Sequence, residues 1–231
     1  MNYKIYLLKI FLFFIYLFFG FLNALYAKDL ISGYNFSEPS TQKIQDDDFL
    51  NPGFIWVEHG KVLWGKKENI SDLSCSSCHG KISNMKGVAL NFPKVNKEGR
   101  FVNLEQQINI CREKKMNSNK FQAESKNLLA LSALLYFQSK GLKQNIEINE
   151  NNKKWFNLGK ELYFKKIGQM GLSCNQCHDD RVGNNLRAEK VSQGHINGFP
   201  AYLLRWSKIA SVHKRIQFCN EQARAIPFKI F

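Results

Sequence analysis

The chain has 231 residues, a formal net charge of +14, 44% hydrophobic residues and 13% aromatic residues. That length admits one large domain or two small ones, and the apolar content suits a globular protein with a real core. The positive excess favours an anionic substrate, an acidic partner or an anionic surface, although an A/T-rich codon supply enriches the same Lys, Asn, Ile and Phe. No dense Lys/Arg cluster with interleaved aromatics occurs, which excludes a nucleic-acid binder.

In chain order, Lys4 and Lys9 precede or flank an apolar run from Ile10 to Leu22, followed by Ala24–Ala27 and charged Lys28 and Asp29. A positive start, an apolar stretch and a small residue before polar sequence predict a secretory signal over residues 1–27, cleaved near Ala27, and export to the periplasm. An uncleaved anchor is the rival, since the stretch from Ile5 approaches the roughly 20 residues that span a bilayer. An N-terminal extension follows over 28–50.

Pro52 to Lys67 opens as a helix, with proline near its first turn. Leu128, Leu131, Leu134 and Leu135 mark one face of a second helix over about Ala123 to Ser139, stopped by Gly141. The polar stretch Lys140 to Lys154 has no period and reads as an interdomain linker, centred on 142–151. Asn152 to Lys166 repeats the first helix, and Leu203 to Ala225 reads as another. No strand alternation is evident. The prediction is an all-α protein of two domains, 51–141 and 152–231.

The two halves share an order of motifs. "CSSCHG" at Cys75 and "CNQCHD" at Cys174 start 99 residues apart, and "GKVLW" and "GKELY" each begin 15 residues before them. A lone cysteine follows each: Cys111 lies 32 residues past His79, and Cys219 lies 41 past His178. This pattern reads as a duplication.

C-x-x-C-H is the attachment signature of c-type haem. Two thiols add to the haem vinyl groups, and the adjacent histidine becomes an axial iron ligand. Cys75 and Cys78 would hold one covalent haem with His79 on its iron, and Cys174 and Cys177 a second with His178. A zinc site prefers CxxC pairs about 15–20 residues apart, far closer than these. A thioredoxin-like pair lacks its βαβ surroundings. For the other axial position, Met85, Met116 and Met170 are not matched between the copies. The matched residues are Cys111 and Cys219, either as one thiolate ligand per haem or as a mutual disulfide. His59, His195 and His213 recur in neither copy and read as surface or hydrogen-bonded residues.

Two CxxCH motifs, each with a distal cysteine, resemble the SoxA family, the larger subunit of the SoxAX cytochrome of thiosulfate oxidation. "QDDDFLNPGFIWVEHGKVLW" at Gln45, "NICREK" at Asn109, "SQGHINGFPAYLLRW" at Ser192 and "HKRIQFCNEQARAIP" at His213 are similar to the family's segments around its haems. The resemblance implies an L-cysteine S-thiosulfotransferase that joins thiosulfate to a cysteine of the carrier SoxY. It also implies a SoxX cytochrome partner and electron transfer to SoxX or a small cytochrome c. The family's active cysteine, which can carry a persulfide, maps onto Cys219. Its substrate-binding arginine maps onto Arg215, and Cys111 maps onto the axial ligand of the first haem.

The residues fit that assignment. On a helix Arg215 and Cys219 are i and i+4 and share a face. An arginine fork suits oxyanions, and nearby cations favour the thiolate; Lys214 and Arg224 would add to that field. The matching place before Cys111 is Gln107. The duplication also predicts a closing leucine-rich helix after Cys219. The chain ends at Phe231 before one, so the second domain reads as truncated. A dihaem electron carrier without thiosulfate chemistry is the alternative.

Overall fold

The computed structural model describes residues 29–144 and 146–227. The predicted signal segment lies outside the described residues. Among the described residues no helix is long and apolar enough to cross a membrane.

The core is built by a pair of helices in the first half. The helix α2, Phe54–Gly65, follows the short α1, Pro39–Asp46, and buries Val57, Gly60, Leu63 and Trp64. That spacing is one helical face. After the one-turn α3, Cys75–His79, comes α4, Leu104–Met116. The helix α5, Lys126–Phe137, buries every residue from Leu128 to Leu135, the mark of a helix surrounded by protein. Gly60 allows α2 and α5 to meet: a Cβ there would lie 2.4 Å from the Ala130 carbonyl oxygen and 2.9 Å from the Leu134 Cβ. Around this contact gather Ala89, Phe92, Val102 and Leu104.

The second half contributes little core. Its helices are α6, Lys153–Phe164, the one-turn α7, Cys174–His178, and α8, Val212–Gln222. Among its described apolar residues only Ile209, Ala210 and Ala223 are buried. The two halves meet through Trp155 stacked on Phe101 at 5.3 Å, Trp56 against Tyr202 at 5.9 Å, and a Gln144 amide donating to the Phe92 carbonyl at 3.0 Å. The described residues from Ser32 onward form one unit.

The fold is mostly helical, with three two-stranded antiparallel ribbons among the described residues that the all-α reading omitted. They pair β1, Lys94–Val95, with β2, Phe101–Val102; β3, Asn185–Leu186, with β4, Glu189–Lys190; and β5, Ala201–Leu203, with β6, Lys208–Ala210. Strands of two or three residues are too short to alternate legibly. The last ribbon corrects the predicted helix over Leu203 to Ala225. The chain turns back through Leu204–Trp206 and a left-handed Ser207 at φ +49°, pairs Tyr202 with Ile209, and starts its helix only at the Ser211 cap. Similarly, the helix expected from Ala123 starts at Lys126. Glu124 is left-handed at φ +60°, and Ser125 caps the first turn.

Candidate functional site

Each CxxCH motif folds as a single helical turn, placing its two thiols and its histidine at i, i+3 and i+4 on one side. Serines start both turns. Ser74 and Ser77 form a reciprocal capping box, with backbone-to-hydroxyl bonds of 3.0 and 3.1 Å. The buried Ser173 donates its backbone N–H to Gln176 Oε1 at 2.9 Å.

At the first motif the surroundings are packed. Trp64 donates from Nε1 to the Gly80 carbonyl at 2.9 Å, and its ring lies 5.8 Å from the His79 ring. Burial pushes the Cys75 thiol pKa up; Arg112 opposes this, and charge on Cys111 adds to it, which places both residues within electrostatic reach. Cys111 accepts a 3.4 Å hydrogen bond from Gln107 Nε2. Arg112, next to it, is fully engaged. It donates to Glu68 at 2.6 Å, to Ser118 Oγ at 2.8 Å and to the Asn119 carbonyl at 2.9 Å, and its guanidinium lies 3.6 Å from the Phe121 ring centre. The same guanidinium holds the Glu68 carboxyl below the usual carboxylate range.

At the second motif the histidine is oriented by a loop. His178 Nδ1 lies 2.8 Å from the Ser192 carbonyl oxygen. A carbonyl only accepts, so Nδ1 carries the proton and Nε2 keeps its lone pair for a metal. Gly194, at φ +76°, lies so close to the ring that a Cβ would sit 2.8 Å from it.

The helix α8 is held at both ends. Ser211 donates its hydroxyl to Glu124 Oε1 and its N–H to Oε2 at 3.3 Å, across 87 residues of sequence. At the other end Gln169 and Met170 donate to the Arg224 and Ala223 carbonyls at 3.3 Å, and Gly168 leaves no room for a Cβ. Cys219 is thereby set near the second motif. Its side chain is exposed, but its surroundings are crowded enough that desolvation chiefly pushes the thiol pKa up. Arg215 and Arg205 oppose that, and charge on Cys174 and Cys177 adds to it. Iron, as a local cation, would favour the thiolate.

Each lone cysteine thus lies within electrostatic reach of a CxxCH motif: Cys111 of Cys75, and Cys219 of Cys174 and Cys177. All six cysteines are free thiols, so the Cys111–Cys219 disulfide is not formed. The remaining histidines bond elsewhere: His59 with Asn127 at 2.8 Å, His195 with Gln193 at 2.9 Å, and His213, accepting from Asn103, at 2.7 Å. Among the described residues no three His, Cys, Asp or Glu side chains converge as a bare-metal site. A haem would supply four of iron's six donors itself, leaving a histidine and a thiol to complete the set. The free Nε2 of His178 and the paired thiols fit that group.

Sequence reasoning missed Arg205 and Glu189. Arg205 bonds Glu189 Oε1, and Arg215 lies 3.7 Å from Glu189 Oε2. These residues sit on different ribbons and helices, with no shared spacing to reveal them. Of the predicted cations, Arg215 acts on the Cys219 thiol, and Arg205 joins it.

Residues 59–144 match the family model described as SoxA/TsdA, cytochrome c domain. The chain is 34% identical over 201 residues to the L-cysteine S-thiosulfotransferase subunit SoxA of Paracoccus pantotrophus, covering 87% of this chain and 69% of that protein. It is 32% identical over 204 residues to the same-named subunit of Rhodovulum sulfidophilum, covering 87% and 71%. The crystal structure of SoxXA from P. pantotrophus superposes with a TM-score of 0.83 at 34% identity, over 87% of this chain and 76% of that one.

Proposed function

This chain belongs to the SoxA family, and from that premise we propose that it is the cytochrome subunit of a thiosulfate-oxidising SoxAX complex, an L-cysteine S-thiosulfotransferase, with Cys219 as its reactive sulfur. The overall reaction joins thiosulfate to a thiol of SoxY. A sulfur–sulfur bond forms, the thiol proton leaves, and two electrons depart. When bound, haem supplies the one-electron acceptor for those electrons.

Two covalent haems fit the chain. One is held by Cys75 and Cys78 with His79 and Cys111 on its iron. The other is held by Cys174 and Cys177 with His178 and Cys219. Arg215 binds the anionic substrate one turn before Cys219, and Cys219 can carry the substrate sulfur as a persulfide. SoxX is the heterodimer partner, SoxY the carrier, and a small cytochrome c the final acceptor. The remaining expectations stand within the same reading: a leader removed near Ala27, a periplasmic location, and two tandem cytochrome c-like domains over 51–141 and 152–231.

The observation that carries the assignment of Cys219 is the contrast between the arginines beside the lone cysteines. Arg112 is consumed by Glu68, Ser118 and Asn119, whereas Arg215 has its nearest carboxylate oxygen at 3.7 Å, beyond hydrogen-bond length. Only the second cysteine has a guanidinium available to an anion. Cys219→Ala is expected to reduce thiosulfate-dependent electron transfer to background, while Cys111→Ala retains most of it, measured as cytochrome reduction by the SoxX complex. Equal rates for wild type and Cys219→Ala would instead support a plain dihaem electron carrier.

A further inference from the structure

A carboxylate of the chain itself stands beside the Arg215 guanidinium without hydrogen-bonding it. Glu189 opens β4, in a ribbon whose four residues are all exposed and whose turn includes left-handed Arg187 at φ +58°. Its two oxygens are divided between two cations. Oε1 takes the hydrogen bond from Arg205, and Oε2 faces Arg215 at 3.7 Å. Both guanidiniums also lie over the ring of Phe218, at 4.7 and 5.6 Å from its centre, and Trp206 meets that ring edge-on at 5.6 Å. Phe218 directly precedes Cys219. The two cations are therefore spaced by an aromatic shelf beside the reactive sulfur, with a carboxylate between them.

We propose that Arg205 and Arg215 together form a two-guanidinium site for a small dianion, and that Glu189 is an internal competitor displaced when the dianion binds. This rests on the reading of Arg215 as the substrate-binding residue. Charge supports it. Two guanidiniums with one carboxylate leave an uncompensated positive charge, whereas a dianion such as thiosulfate neutralises both. Planar forks on an arginine pair bind oxyanions in a fixed orientation. Displacement is feasible because the Glu189 side chain is 56% exposed and its contact with Arg215 is loose. An exposed ion pair of this kind contributes little, so the competition is a tuning effect. It weakens by the same factor the binding of every anion that must displace Glu189, and the dianion keeps the greater intrinsic affinity for the cation pair.

The test uses the haem-loaded complex with SoxX. Sulfate, an unreactive dianion, is titrated calorimetrically, and thiosulfate turnover is measured in parallel. Removing an exposed competing carboxylate is worth a factor of about two to five. Glu189→Gln is therefore expected to tighten sulfate binding by that factor, and to lower KM for thiosulfate more than it changes kcat. Arg205→Met should weaken sulfate binding. Arg205→Lys should restore it only in part, because the charge returns without the fork. In the double variant the gain from Glu189→Gln should disappear, since the two residues act as one unit. Unchanged or weaker sulfate binding in Glu189→Gln, or wild-type binding in Arg205→Met, would overturn the proposal. Sulfate binding needs no turnover, so the two readings can fail separately. An active Cys219→Ala with tighter sulfate binding in Glu189→Gln removes the catalytic assignment and keeps the anion site. An inactive Cys219→Ala with sulfate binding unaltered in every variant does the reverse.

Discussion

The two CxxCH halves begin with the same helical phrase and end in different environments. In the first, α2 lies against α5 over Gly60, and Trp64 bonds the turn after the motif. In the second, Tyr163 takes the place of Trp64 and donates to Asp179 at 2.9 Å, and Gly159 has nothing within 4 Å of an added Cβ. Phe156, Leu158 and Phe164 of α6 stay exposed among the described residues. The arginines diverge in the same direction, Arg112 locked into a buried network and Arg215 loosely held. On the proposed reading the duplicated motif supplies two attachment sites, and the packing around each decides its use. A rigid, fully bonded surround suits a redox centre that should not change. A surround with a spare cation and an accessible sulfur suits chemistry on an external anion.

The strongest way to break that comparison is to remove the two arginines. The Arg112 side chain is 9% exposed and its partner Glu68 24%. Taking one partner from a buried pair costs about 3–5 kcal/mol because the other charge is left uncompensated. Arg112→Ala is expected to lower the denaturation midpoint markedly. Arg215→Ala should cost under about 1 kcal/mol, the value of an exposed pair, and act on turnover instead. Similar losses of stability in both would erase the distinction. The same pair makes stability depend on acid. The folded-state pKa of Glu68 is depressed, with the hydrogen bond from Arg112 the largest cause, from an ordinary value of 4.5. Its contribution is therefore complete above that ordinary value and is lost as pH falls through the folded one. Denaturation midpoints measured below about pH 4.5 should fall more steeply in wild type than in Arg112→Ala.

Much of the architecture was legible because its signals are local. The CxxCH repeats, the helices α2, α5 and α6, and the i, i+4 relation of Arg215 to Cys219 all follow from spacing within a few turns. The helix α4 also had a local sign, Asn103 with Gln106 three residues on, which form a capping box that hydrophobic periodicity alone does not reveal. What was not legible depends on long-range pairing. Glu124 capping α8, Ser192 orienting His178, and Glu189 joining Arg205 to Arg215 each connect segments with no common period. The short ribbons that create those meetings are held by backbone bonds, so side-chain alternation carries no trace of them. The failed extension of the last helix has the same cause. The residues from Leu203 to Ile209 read as the start of a helix, but they belong to two strands that pair Tyr202 with Ile209 and Leu203 with Lys208 across a turn that left-handed Ser207 sets.

The finest probe of the comparison is the glycine shared by the two helical phrases. In Gly60→Ala the new methyl would press on the Ala130 carbonyl at 2.4 Å, a backbone atom that cannot move without shifting α5. Overpacking of this kind costs about 1–3 kcal/mol. In Gly159→Ala the methyl meets open space on an exposed helix, so only helix propensity changes, and alanine is favoured by about 0.8–1 kcal/mol. The same substitution at duplicated positions should therefore have opposite signs, read as denaturation midpoints of the haem-loaded protein. A loss of stability at Gly159 would show that its helix face is covered in the haem-loaded protein, so that the second half is as closed there as the first.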